Sequence, residues 1–345
     1  MVMLSKLLRS VVGLVLVLAL SHAARAATPE LIAAARKEGS VTWYTTLIVD
    51  QLARPIADAF ERKYGIKVQY VRSGERDIYL RLYNEARAGR QQADVFDAIG
   101  GAGTLKQEGL IAKWQPDAIT RFPADLRDPE GYWTPMSIYV LEPAFNTNLV
   151  KAEEAPRNFD DLLHPSWRGH LAWNSEPSST GAPGFIGAVL NAMGEQKGMD
   201  YLKRLSGQGI IGVPGGARHV LDMVIAGEYP VALQMLTHHA FFSANKGAPV
   251  NWARLQDVMA FFITLNVMEK SPHPNAGRLL VDFIVSPEGQ QLFRDTGYIP
   301  VDPEMAPRDP SLKPDGVNFR VTYFTPGRVD KNLPKWVDIY REIFR

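Results

Sequence analysis

Cysteine is absent from this 345-residue chain, so it offers no disulfide, no thiolate metal site and no thiol nucleophile. It also offers no cysteine to carry a lipid. Long hydrophobic runs are scarce. The most prominent, Val11 to Leu20, is about half of the roughly 20 apolar residues that a membrane-spanning helix needs. Neither sign of charge is in excess, with 38 Lys and Arg against 37 Asp and Glu and a formal net charge of +1. Charges interspersed in this way give no basic face for nucleic acid and no acidic tail. Low-complexity stretches, heptads and repeat periods are missing too. So are the G-x-S-x-G elbow, the H-E-x-x-H metal helix and the G-x-x-x-x-G-K-[ST] phosphate loop. Gly101-Ala102-Gly103 lacks the third glycine of a dinucleotide fingerprint. Seven histidines leave a metal or triad site open without supporting one, so a secreted enzyme is the weaker class.

The first residues carry a different signal. Lys6 and Arg9 precede the apolar run, and Ala24-Arg25-Ala26 follows it with small residues at its first and third positions. These are the parts of a secretory signal peptide spanning 1–26, with the mature chain starting at Ala27. The expectation is export to a periplasm, without lipidation. Roughly 320 residues then remain, enough for two lobes of ordinary size.

The mature part alternates helical and strand patterns, the mark of an α/β architecture. Thr28 caps a first helix that has Pro29 at its first position and stops at Gly39. Val41–Tyr44 is a buried strand, and Ile66–Val71 alternates with period 2. Arg76–Ala88 is helical, and Ala93–Ala98 is a third strand. In parallel sheets of this kind ligands sit beyond the carboxyl ends of the strands. The loops of interest are therefore Thr45-Thr46, Arg72-Ser73-Gly74 and Gly100-Gly101. A second α/β lobe follows from a strand at Met136–Leu141. It takes in the loop Ser178-Ser179-Thr180-Gly181 before a long helix, Gly215-Gly216-Ala217-Arg218 before another, and the strand Val231–Met235, which ends at Thr237-His238-His239. The apolar strand Val258–Val267 returns to the first lobe. Lobe 1 is then 27–136 with 260–345, although the C-terminal helices are free to join either lobe, and lobe 2 is 137–259.

Several segments in this order resemble a known family. They include Val41-Thr42-Trp43-Tyr44-Thr45-Thr46, Ala93-Asp94-Val95-Phe96, Phe145-Asn146-Thr147-Asn148-Leu149-Val150, Trp167-Arg168-Gly169-His170, Gly227-Glu228-Tyr229-Pro230-Val231-Ala232 and Gly297-Tyr298-Ile299-Pro300-Val301. Together they resemble the periplasmic solute-binding proteins of ABC importers, in the cluster of ferric-iron, thiamine, polyamine and phosphonate binders. The resemblance implies a type II fold: two α/β lobes with mostly parallel sheets, hinge strands near Ser137–Glu142 and Ala260–Asn266, and closure over a ligand. It further implies a small-molecule ligand, a cognate permease and ATPase, a monomer, and no cofactor.

Ferric members carry adjacent tyrosines where this chain has Thr237-His238-His239, so tyrosinate iron binding is not expected. Their acidic ligand corresponds to Glu75, and a metal site using His238 and Glu75 stays as an alternative. The residues themselves favour an anion. Ser178, Ser179 and Thr180 stand before a helix whose free N–H groups suit a carboxylate or phosphoryl group, and Arg218 offers a bidentate fork. Each has a bland counterpart, as a cap or a solvated cation. The expected ligand contacts are Thr45, Thr46, Ser73, Glu75, Gly101, Tyr139, Ser178, Ser179, Thr180, Arg218, Thr237 and His238. Tyr44 and Trp173 are candidates for stacking or for the core.

Overall fold

The computed structural model describes residues 27–100, 102–255, 257–312 and 320–344; the expected signal segment and Gly101 lie outside them. Helix α1 (Pro29–Glu38) starts on Thr28, whose side chain accepts the Leu31 N–H, and ends on Gly39 at φ 75°. That pairing of an oxygen cap with a left-handed glycine stop is the one read from the sequence. Strand β1 (Ser40–Thr45) follows, then α2 (Arg54–Tyr64), β2 (Lys67–Arg72), α3 (Glu75–Arg87), β3 (Val95–Ala98) and a short α4 (Ala102–Gln107). β1 pairs in parallel with β2 and with β3, giving the core of the first lobe.

Two long strands leave that lobe. β4 (Thr134–Asn146) is buried at every position, because neighbours cover it along its whole length. β9 (Asp257–Val267) runs antiparallel to it, with Tyr139 opposite Phe261 and Val140 opposite Ala260. The carboxyl half of β9 pairs with β3, whereas the carboxyl half of β4 pairs with β7 (Val231–Leu236). The two strands thus cross between the lobes side by side at Ser137–Leu141 and Met259–Ile263.

The second lobe is built on β5 (Leu171–Asn174), β6 (Ile211–Val213) and β7, all parallel. Around them lie α5 (Ala182–Met193), α6 (Glu195–Ser206), α7 (Ala217–Ala226), α8 (Thr237–Asn245) and a short β8 (Val250–Trp252) that pairs with β4. After β9 come α9 (Pro274–Val285), α10 (Pro287–Asp295), β10 (Ile299–Pro300), β11 (Arg320–Phe324) and α11 (Pro326–Ile343). α9 packs on α1 of the first lobe. α11 packs on α5 of the second lobe and touches α4 of the first. A Cβ on Gly187 would stand 2.6 Å from Trp336, so the absence of a side chain in α5 is what lets α11 lie this close. The described residues form a two-lobed α/β fold of eleven α-helices and one curled sheet in the order β2-β1-β3-β9-β4-β7-β5-β6.

One local expectation fails. Thr237, His238 and His239 do not end the strand but begin α8, because the ladder with β4 stops at the Leu141–Leu236 pair. Their side chains are therefore spaced by about 100° around a helix rather than alternating between two faces. Among the described residues, no helix is long and apolar enough to cross a membrane.

Candidate functional site

A cleft of about 1380 Å³ opens between the lobes, and both lobes and α11 contribute to its wall. On the first-lobe side its floor is fixed by a buried carboxylate. Asp97, in β3, accepts the backbone N–H and the hydroxyl of Thr46 at 2.9 and 2.5 Å, and the Trp43 indole N–H at 2.9 Å. Burial raises the Asp97 carboxyl above its ordinary value, and the hydrogen bonds to Thr45, Thr46 and Trp43 work against that shift. Thr46 reaches the cleft. Thr45 does not: it is fully buried, and its hydroxyl accepts the Leu47 N–H at 3.1 Å, closing the turn from below. Ser73 is not part of the wall either; its hydroxyl is 3.3 Å from the carboxylate of Asp77, which is.

Glu75 lies on the wall, but one of its oxygens already serves the scaffold. Oε1 accepts the N–H groups of Ile99 and Gly100 at 3.1 and 2.7 Å and the Tyr79 hydroxyl at 3.0 Å. Desolvation pushes the Glu75 carboxyl up, against the pull of those donors. This geometry ties the β3 strand end to the first turn of α3.

On the second-lobe side Ser178, Ser179 and Thr180 line the cleft at the start of α5. Two glycines force the shape of this loop. A Cβ on Gly181 would come within 2.5 Å of the Glu176 carbonyl oxygen, and one on Gly184 within 1.7 Å of the Ser179 carbonyl oxygen. Gln234 completes the support. It is the one non-glycine among the described residues with positive φ (58°), and its amide donates to the Ser179 carbonyl at 3.2 Å. A glutamine held in the left-handed region inside a strand costs free energy, and here it braces a wall of the cleft.

The electrostatic centre is made by residues from both lobes. Arg72, at the end of β2, and Arg218, in the first turn of α7, both line the cleft. Arg218 donates to Ser243 at 3.1 Å and to Asp222 at 2.6 Å, an ion pair that stays largely exposed. The Arg72 guanidinium has no hydrogen bond or ion pair to any described residue. Both cations act on His239, whose imidazole is pushed down to about 3, first by desolvation and then by Arg218 and Arg72. They act on Tyr298 as well, although burial raises that phenol on balance.

His239, not His238, lines the cleft. His238 is fully buried behind it, 4.7 Å from the Tyr139 ring and 4.4 Å from the Tyr298 ring, and both its ring nitrogens lack a partner. Thr237 is also buried, with its hydroxyl unpartnered. Desolvation pushes the His238 imidazole well below its ordinary value, as an unpaired imidazole in an apolar stack must be. His238 and Glu75 therefore do not share a site. Among the described residues no three His, Asp or Glu side chains gather where a metal ion could be held.

Tyr139 contributes to the wall from the crossing strand. Tyr44 and Trp173 belong to the core: Tyr44 donates its hydroxyl to Glu85 under the Arg81 guanidinium, and Trp173 packs on Phe185, Tyr340 and Phe344. Reading by motif names the loop of Arg72 without choosing Arg72 as a contact, prefers His238 to His239 in the adjacent pair, and misses Tyr298 and all of α11. For Arg72 a signal existed, since a basic residue ends a period-2 strand in the ligand-facing position of a parallel sheet. α11 offered no such signal.

Comparison with known proteins agrees with this geometry. The profile of the bacterial extracellular solute-binding proteins matches residues 93–321. A Salmonella paratyphi A protein, named for periplasmic 2-aminoethylphosphonate binding, is 24% identical over 286 residues, covering 80% of this chain and 79% of its own. Iron-bound HitA from Pseudomonas aeruginosa superposes with a TM-score of 0.72 at 21% identity, covering 88% of this chain and 99% of that one. AfuA from Actinobacillus pleuropneumoniae, with fructose-6-phosphate bound, gives a TM-score of 0.72 at 20% identity over 88% of this chain and 99% of that one. With the two lobes, the paired crossing strands and the interlobe cleft already established, that match over most of the chain means that the protein belongs to the family of bacterial extracellular solute-binding proteins.

Proposed function

We propose that this protein is the receptor of an ABC importer for a small organic anion, which it holds between Arg72 and Arg218 and hands to a membrane permease and its ATPase without altering it. The carrying observation is the convergence of these two guanidiniums, from opposite lobes, on one neutral imidazole. Arg72 has no ion pair to a described residue and Arg218 pairs only with the exposed Asp222, so both guanidiniums keep donors for an anionic group. The amino end of α5 adds the hydroxyls of Ser178, Ser179 and Thr180 and the positive end of a helix dipole. His239, kept neutral, contributes a ring N–H donor without carrying charge. The relatives named for a phosphonate and bound to a sugar phosphate are consistent with a phosphoryl or carboxylate head.

Bending at β4 and β9 brings Arg72 and Arg218 together over the ligand. The lobes divide at these strands, with 27–136 and the part after about residue 260 on one side, except that α11 moves with 137–259. Residues 1–26 direct export to the periplasm and are removed, and the receptor works as a monomer because a single chain supplies both walls of the cleft.

Calorimetric titration of the purified, ligand-stripped protein with phosphate, alkylphosphonates, sugar phosphates and small carboxylates tests the reading. Binding of at least one of these anions, lost in Arg218→Ala, is expected. Binding of polyamines or thiamine in their place would refute it.

A further inference from the structure

The arginine end accounts for only part of the cleft. α3 presents Arg76, Tyr79, Leu80 and Tyr83 to it, at the i, i+3, i+4 and i+7 spacing of one helical face. α11 presents Leu333, Pro334 and Val337, flanked by Asp330, Asp338 and Arg341. Leu80 is 52% exposed, one of three large apolar side chains left open to solvent among the described residues. Leu80 and Tyr83 stand five and eight residues beyond Glu75, which places this apolar face roughly 8–12 Å along α3 from the arginine end at 1.5 Å per residue. A phosphate or a two-carbon anion held at Arg72 and Arg218 would not touch it.

The two apolar faces belong to different bodies. α3 sits in the first lobe, whereas α11 packs chiefly on the second, by Trp336 against Gly187 and by Lys335 on Glu195 at 2.6 Å, and meets the first at Asp330, which accepts the Gly103 N–H at 2.8 Å. The slot thus repeats the logic of the arginine pair, with one wall from each lobe. It is continuous with that pair in a single cleft, so one ligand of sufficient length reaches both the slot and the guanidiniums.

From this we infer that the ligand is amphiphilic: an anionic head of phosphoryl or carboxylate type joined to an apolar body about the size of an aryl ring, lying between Leu80 and Tyr83 of α3 and Leu333 and Val337 of α11. The inference rests on the anion reading of the cleft and deepens it. Burial of the body supplies affinity that a small anion cannot gain, because each methylene-sized group removed from water contributes about as much as a several-fold change in binding.

The test uses two probes with the same head and charge, methylphosphonate and phenylphosphonate, titrated calorimetrically into the wild-type protein and into Leu80→Asn and Val337→Thr. Both positions are at least partly exposed, so both variants should fold. The readout is the ratio of the two dissociation constants. Phenylphosphonate should bind about tenfold or more tightly than methylphosphonate in the wild type, and the ratio should collapse towards one in both variants. A wild-type ratio near one overturns the slot while leaving the arginine site standing. A ratio that survives in both variants while both probes weaken together overturns it too, because the apolar faces then serve lobe closure. If the wild-type protein binds neither these probes nor any other anion, the anion reading itself fails and this inference falls with it.

Discussion

Arg72, at the carboxyl end of β2, and Arg218, in the first turn of α7, act on the same imidazole, His239, from the two sides of the cleft. A charge-assisted hydrogen bond contributes about 1.5–3 kcal/mol, so each arginine should be worth about 10- to 100-fold in affinity for an anion. Arg72→Ala and Arg218→Ala are expected to lose that much while keeping a wild-type circular dichroism spectrum. Arg218→Lys should recover less than half of the lost free energy, because an ammonium lacks the planar fork. Affinity that is unchanged in both alanine variants would remove the arginines from the site.

His239 gives the apo protein a defined acid response. Its folded-state value of about 3 lies below the ordinary 6.5 of an unfolded chain. The unfolded state therefore takes up this proton first, and stability drains away as pH falls from about 6.5 towards 3, by at most about 1.4 kcal/mol per pH unit. Asp282 works in the opposite direction. Burial raises its carboxyl from 3.8 to about 6, so the folded state binds that proton first and gains stability as pH falls from about 6 to 3.8. Comparison of wild type with His239→Gln isolates the histidine. The variant should lose less stability than the wild type between pH 6.5 and pH 4.5 in urea melts, and parallel curves would show that His239 is not held neutral.

The loop of Ser178, Ser179 and Thr180 depends on the missing side chain at Gly184. A Cβ there would lie 1.7 Å from the Ser179 carbonyl oxygen and 2.7 Å from Gln234 Nε2. Gly184→Ala must push the loop away from Gln234, at an overpacking cost of about 1–3 kcal/mol. A melting temperature lower by several degrees and weaker anion binding are expected together. A normal melting temperature with normal affinity would mean that the loop tolerates displacement and does not contribute to the site.

Metal ions should have no hold on this cleft. Glu75 Oε1 is engaged by three donors, and His238 is sealed behind Tyr139 and Tyr298. Chelator treatment is expected to leave the melting temperature where it was, and ferric ion is expected not to raise it. A ferric shift of several degrees would restore the metal alternative, since a ligand of the folded state alone stabilises it by mass action.

Much of the scaffold was legible in the sequence, because local chemistry determines it. Thr28 and Ser286 cap α1 and α10 as their side-chain oxygens and following prolines indicate, and the period-2 run at Ile66–Val71 is β2. Of the crossing strands, Val258–Val267 was legible as an apolar run returning to the first lobe, and the hinge positions followed from the family resemblance. The site was less legible, because it depends on where one element hands over to the next. At Leu236 the chain passes from strand to helix, and this decides that His239 meets the cleft while His238 is buried. Ser73 and Thr45 sit in the right loops, but local hydrogen bonds engage their hydroxyls, Thr45 in the buried turn and Ser73 on the exposed Asp77. α11 was the hardest to foresee: no motif marks Leu333 and Val337 for a cleft, and the packing of Trp336 on Gly187 seats the helix that presents them.

The central claim, capture of an organic anion between two lobes by Arg72 and Arg218, is tested most directly by a thermal-shift screen of ligand-stripped protein against phosphonates, sugar phosphates and small carboxylates, run in parallel on the wild type and Arg72→Ala/Arg218→Ala. The account predicts a rise of several degrees with at least one anion class in the wild type and none in the double variant. A shift of equal size in both proteins, or a wild-type response to cations alone, would contradict it.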